Sequence, residues 1–179
     1  QLFDRPALAG VDFVIGNPPY VRVEGIPEPL NAQYRQLFPT MRGRADLYVG
    51  FYEAALRQLR PGGVCAYICA DRWMVNQYGE TLRRYIAAGF AVETLLEMHQ
   101  TAAFEEEVNA YPAISVIRRA PQGAAVVASA TNDLEQVLGT RIIEHLTTVR
   151  QAAITALLPG LTAALVPEWF PAGEPWTRT

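Results

Sequence analysis

Apolar residues in this chain fall into short blocks separated by helical periodicities. Val11–Gly16 (VDFVIG) reads as a buried strand that ends abruptly at Asn17-Pro18-Pro19-Tyr20. Val21–Ala45 is polar and proline-containing and predicts a long loop with one helical turn near Asn31–Leu37. Asp46 has the character of an N-cap, and Leu47, Phe51, Ala54, Ala55 and Leu59 follow at helical spacing. The breakers of Arg60–Gly63 (RPGG) close that helix. Val64–Ala70 is a second apolar strand, Tyr78–Ala88 a helix stopped by Gly89, Ala91–Met98 a third strand and Ala113–Arg118 a fourth.

Apolar strands alternating with helices predict an α/β fold whose parallel strands are covered on both faces. No helix is evident between the third and fourth strands, so these two are expected to pair as an antiparallel hairpin at the sheet edge. Pro121–Ala130 reads as a small-residue linker. Asn132 or Asp133 then caps an amphipathic helix with Leu134, Val137, Leu138, Ile142, Leu146 and Val149 on its apolar stripe. The tail VPEWFPAGEPWTRT reads as an extended segment whose packing partner is missing.

The 179 residues suffice for one domain with a real core. Half are hydrophobic and 18% are charged, which excludes a disordered chain. No apolar run approaches the roughly 20 residues that span a bilayer, and a cytoplasmic protein without membrane contact is expected. Net charge is −3 and every basic residue is Arg. A self-sufficient nucleic-acid binder is usually basic, so phosphate attraction would have to come partly from elsewhere. The chain opens on Gln1 and enters its first strand about ten residues later, which suggests a piece of something larger.

Cys65 and Cys69 lie four apart, about 13 Å along a strand, beyond the reach of a disulfide. His99 and His145 add too few ligands for a zinc site. Buried structural thiols and no metal are expected.

Asn-Pro-Pro-Tyr carries the chemistry. Ligands of open α/β sheets bind outside the carboxyl ends of strands. There Asn17 offers a side-chain carbonyl and Pro18 a backbone carbonyl. Pro19 stiffens the turn, and Tyr20 adds a flat ring. Two fixed acceptors beside a stacking surface suit the exocyclic amino group of a planar base. A proline turn in which Asn17 satisfies local backbone is the plain alternative. The strand before the motif, the tyrosine after it and the order of elements favour the first reading.

At this point the sequence resembles S-adenosylmethionine-dependent DNA adenine-N6 methyltransferases of the restriction–modification type. DFVIGNPPYVR is similar to their catalytic motif. ADLYVGFYEAALRQLRPGGVCAYICADRW resembles the helix–strand segment that follows it, and FEEEVNAYPAISVIRR a later motif. The resemblance implies a partial Rossmann-like sheet followed by a C-terminal helix. Residues 1–120 would be the C-terminal half of a catalytic domain. Residues 121–179 would be a linker, an amphipathic helix and the start of a target-recognition or partner-contact region. It also implies roles. Asn17 and the Pro18 carbonyl hold the target amino group, Tyr20 stacks on a flipped adenine, and Pro19 and Phe104 line the base site. Asn17 and Phe51 face the cofactor. By spacing alone Phe51 is a core residue, and Phe104 is equally well a plug over the sheet edge.

The glycine-rich cofactor loop that such enzymes carry before the motif has no counterpart in Gln1–Gly10, so only half of an S-adenosyl-L-methionine site is expected. The partners implied are double-stranded DNA, an N-terminal cofactor half and a target-recognition domain. Arg22, Arg35, Arg42 and Arg44, set against Glu24 and Glu28, are either DNA-facing or ordinary loop charges. The rival readings are a protein glutamine or RNA methyltransferase and a non-catalytic methylase-like interaction module.

Overall fold

The computed structural model describes residues 10–101, 111–136, 139–152, 156–167 and 170–176. Seven strands form one sheet: β1 (Val11–Gly16), β2 (Leu59–Ala70), β3 (Ala91–Gln100), β4 (Pro112–Arg118), β5 (Ala125–Thr131), β6 (Ala156–Leu158) and β7 (Leu161–Val166). Their spatial order is β1-β2-β4-β3-β5-β7-β6. β1–β2 and β3–β5 pair in parallel, and the other four neighbouring pairs are antiparallel. The helices are α1 (Glu28–Leu37), α2 (Leu47–Gln58), α3 (Arg72–Val75), α4 (Glu80–Gly89) and α5 (Gly139–Ala152).

Period-two alternation sorts the side chains onto two faces. Leu95, Ala125 and Val127 join a large core with α2 and α4, whereas Leu96, Val126 and Ala128 join a smaller one with α5. Helices therefore cover both faces. α2 buries Tyr48, Tyr52 and Leu56. Tyr52 packs against Tyr67 and Trp73 with ring centroids 5.1 and 5.0 Å away, and its hydroxyl bonds Ser115 Oγ at 2.8 Å. That bond satisfies two buried polar groups at once.

Several expectations change. β3 and β4 do pair antiparallel, but they lie inside the sheet because β5, β7 and β6 extend it beyond β3. The stretch read as a linker holds all of β5 but its last residue, Thr131. The expected single helical turn is the ten-residue α1. α2 ends at Gln58, and RPGG belongs to the start of β2. There Gly62 takes φ +80°, and a Cβ on Gly63 would lie 2.8 Å from the Val11 carbonyl oxygen. Glycine is thus required for β1 to approach.

The tail also differs from its expectation. Phe170 and Trp176 are buried in the large core. Trp176 meets Trp73 and Phe170 edge-on with centroids 5.1 and 4.9 Å apart. The Trp176 backbone N–H donates to the Met74 carbonyl at 2.9 Å. Buried Arg83 donates to the carbonyls of Trp73, Asn76 and Gly173 at 2.6, 2.9 and 3.0 Å, clasping the tail to α3. The packing partner of this segment is the chain's own α3 and α4.

Among the described residues, β1 has β2 on one side only, so it edges the sheet. Val14 packs into the large core. Val11, Phe13 and Ile15, on its other face, are 42%, 69% and 79% exposed.

Candidate active site

The motif Asn17–Tyr20 leaves the carboxyl end of β1, the edge strand of the sheet. Asn17 and Pro19 are exposed, Pro18 is buried and Tyr20 is half-buried. Among the described residues, the Asn17 side chain has no hydrogen-bond partner. The plain turn reading requires such a bond. The Tyr20 ring packs against the large core. Burial, and then the Cys69 thiol beside it, push its hydroxyl up to about 12.

The segment after the motif is fastened to the start of α2. The Leu47 N–H donates to the Val21 carbonyl at 3.0 Å, and the Val23 N–H donates to Asp46 Oδ1 at 3.2 Å. Asp46 stands at the N-cap position but caps no helical N–H with its side chain. Its carboxylate is spent on Val23 instead. Burial holds its pKa above the usual carboxylate value, and the Val23 bond partly offsets this. Tyr48, in the first turn of α2, bonds the Tyr78 hydroxyl at 2.6 Å. The sequence reading missed this pair, because nothing local links residues 30 positions apart.

Phe51 lies one helical turn after Leu47 and is 41% exposed. The core position expected from its spacing is wrong. The buried stripe of α2 is rotated towards Tyr48, Tyr52 and Leu56. Phe51 is left as an open aromatic surface near the motif's end of the helix. Phe104 lies outside the described residues.

The connecting loop is built rather than loose. Buried Glu53 accepts from the Thr40 N–H and Oγ1 at 2.8 and 2.6 Å and pairs with Arg57. Arg35 donates to Asn31 Oδ1, the Met41 carbonyl and the Gly43 carbonyl at 2.8, 3.1 and 2.6 Å, so it holds the loop together. Arg22, Arg42 and Arg44 line an open cavity of about 820 Å³ with Arg72, Glu24 and Glu80. Arg44 is paired with Glu24. Cys65 and Cys69 are buried free thiols, as expected.

Residues 6–104 match the Eco57I restriction-modification methylase family. The chain belongs to this family. It is 42% identical over 157 residues to the Type II methyltransferase M.PaeR7I of Pseudomonas aeruginosa, covering 88% of this chain and 25% of that protein. It is 50% identical over 108 residues to M.XhoI of Xanthomonas vasicola, covering 60% of this chain and 20% of that one. It is 37% identical over 76 residues to the adenine-specific methyltransferase PglX of Streptomyces coelicolor, covering 38% of this chain and 6% of that protein. The chain thus spans about a quarter or less of these relatives. A putative class I S-adenosylmethionine-dependent methyltransferase from Listeria monocytogenes has a similar fold, with TM-score 0.59 at 17% identity, over 79% of this chain and 43% of that one. The matched range includes β1, the Asn-Pro-Pro-Tyr turn and α2. No helix among the described residues is long and apolar enough to cross a membrane.

Proposed function

We propose that this chain is the C-terminal half of the catalytic domain of a site-specific DNA adenine-N6 methyltransferase. Asn17 Oδ1 and the Pro18 carbonyl accept hydrogen bonds from the two N–H groups of a flipped adenine. Those bonds draw the nitrogen towards tetrahedral geometry and aim its lone pair. The Tyr20 ring holds the base by stacking. An adenine inside a duplex cannot reach a turn at a sheet edge, so the base must leave its stack. The observation that carries this reading is the uncommitted, exposed Asn17 side chain on a turn fixed to α2 through Val21 and Leu47. Phe104 completes the base site in the same reading.

S-adenosyl-L-methionine would supply the methyl group when bound. The fit is partial. Exposed Phe51 offers a ring for its adenine, and Asn17 stands beside the reacting position. The described residues present no glycine-rich loop opening a helix next to β1, so these two residues make up half a site. The unpaired edge of β1 is where the complementary half of the sheet would add a strand, and its exposed apolar face, with Val11, Phe13 and Ile15, is where that half's helices would pack. Double-stranded DNA would lie over the cavity of Arg22, Arg42, Arg44 and Arg72, with the target-recognition region supplied after residue 121. A cytoplasmic location belongs to the same reading.

The test is product identity. The complete protein is incubated with cofactor carrying a labelled methyl group and with unmethylated DNA, and the DNA is digested to nucleosides. N6-methyldeoxyadenosine is expected. Label in cytosine, RNA or protein glutamine, with none in adenine, overturns the reading.

A further inference from the structure

A second cluster lies at the carboxyl ends of β2 and β3 and plays no part in the scheme above. Asp71 is the first residue after β2, and its N–H donates to the Tyr111 carbonyl at 3.0 Å, just before β4. Glu97 and His99 stand two apart on β3, on one face. β4 separates the two strands, yet the three side chains converge. A carboxylate oxygen from each acid and a ring nitrogen of His99 all lie within 4.8 Å of one another. His99 Nε2 is 2.5 Å from Asp71 Oδ2. Asp71 and Glu97 are each only 7% exposed. The His99 ring packs on Tyr111 with centroids 4.8 Å apart. The group opens on a cavity of about 580 Å³, which Arg72, Asn76 and Trp176 also line.

Two carboxylates removed from water at this separation repel each other, and their burial raises the cost. Within the cluster the imidazole supplies at most a single positive charge, and Arg72 lines the same cavity. A divalent ion balances both carboxylates and uses the imidazole as a neutral donor. Bonds of about 2.0–2.2 Å around such an ion set ligand atoms roughly 3–4 Å apart, so the existing arrangement needs only small side-chain shifts. One nitrogen with two carboxylate oxygens suits zinc or manganese, whereas magnesium and calcium favour all-oxygen sites. The cavity leaves room for water as a further ligand. The sequence reading excluded a metal because it counted only cysteine and histidine as donors. The two acids lie far from each other in sequence and become visible as ligands only when the sheet forms.

We propose that Asp71, Glu97 and His99 bind one divalent cation of the zinc and manganese class, tying the end of β2 to the end of β3 across β4. The ion has a structural role and takes no part in methyl transfer.

The test is titration calorimetry of the metal-stripped protein with zinc, manganese and magnesium chlorides, together with thermal melts. One equivalent of zinc or manganese is expected to bind with Kd below about 10 µM and to raise the melting temperature, with magnesium at least tenfold weaker. His99→Gln and Asp71→Asn each weaken binding at least tenfold, and His145→Gln leaves it unchanged. If either variant fails to fold without metal, Glu97→Gln must show the same tenfold loss. The proposal is overturned if neither zinc nor manganese binds saturably up to 100 µM. It is equally overturned if binding survives His99→Gln and Asp71→Asn, or if magnesium binds as tightly.

Discussion

The Leu47 N–H donates to the Val21 carbonyl at 3.0 Å, so the first turn of α2 is joined to the residue that follows Asn-Pro-Pro-Tyr. Helix and turn therefore form one unit. A neighbouring bond from the Val23 N–H to Asp46 Oδ1 reinforces it. Through this join, α2 sets where the motif points, and Phe51 is carried one helical turn beyond the junction. The proline pair limits the backbone of the turn, and the join fixes the turn's orientation.

Phe51→Ala should separate cofactor binding from stability. The ring is 41% exposed, so its loss should change the melting temperature by less than about 2 °C, as for an ordinary surface substitution. In the complete protein, affinity for S-adenosyl-L-methionine should fall by about tenfold, in line with the roughly 0.5–1.5 kcal/mol of a ring–ring contact. Calorimetry and a thermal melt check both. A large loss of stability with unchanged affinity would return Phe51 to the core.

Trp176→Ala should destabilise the fold strongly. The indole is 4% exposed, meets two aromatic rings, and donates from Nε1 to the Pro171 carbonyl at 3.1 Å. Removing a buried Trp costs about 3–5 kcal/mol. Denaturant unfolding should show a loss of unfolding free energy of that size, read from the midpoint and slope together, whereas an extended, unpacked tail would show none.

Stability should fall above about pH 9. Burial pushes the Cys65 and Cys69 thiols up to about 12 from an ordinary value of 9. The unfolded chain therefore releases these protons first, and it is favoured as pH rises from 9 towards 12. Their contribution is complete below pH 9 and is lost through that window. Melting temperatures at pH 8 and pH 11 should differ less in the Cys65→Ala/Cys69→Ala variant than in the unaltered protein. Equal differences would contradict the assignment.

The legible parts of this fold were local. β1 and the core of β2 are apolar runs bounded by Gly, Pro or charge, and such a run needs no distant information to be seen. The face of α2 was misjudged because burying Tyr48, Tyr52 and Glu53 depends on Tyr78, Ser115 and Thr40, which are remote or outside the helix. β5 was missed because AVVASAT is rich in small residues. Its Val126, Ala128 and Ala130 gain their burial from the smaller core beneath α5. The tail's prolines do exclude regular structure, but they say nothing about Trp73, against which Trp176 packs. Asn17, Pro18 and Tyr20 could be found as a site because they are contiguous. Asp71, Glu97 and His99 could not, since only strand order brings them together.

The most direct measurement is the methylation rate of the complete protein carrying Asn17→Ala. Nucleoside analysis of the product DNA gives the rate, and a thermal melt of the same sample reports folding. Asn17 is exposed and bonds nothing in the described fold, so the melting temperature should stay within about 2 °C of the unaltered protein. Loss of one acceptor that acts on the reacting amino group should lower kcat by about 100-fold or more, with little change in DNA affinity. A folded variant that keeps more than about half its activity would contradict the account and leave Asn17 as a turn residue.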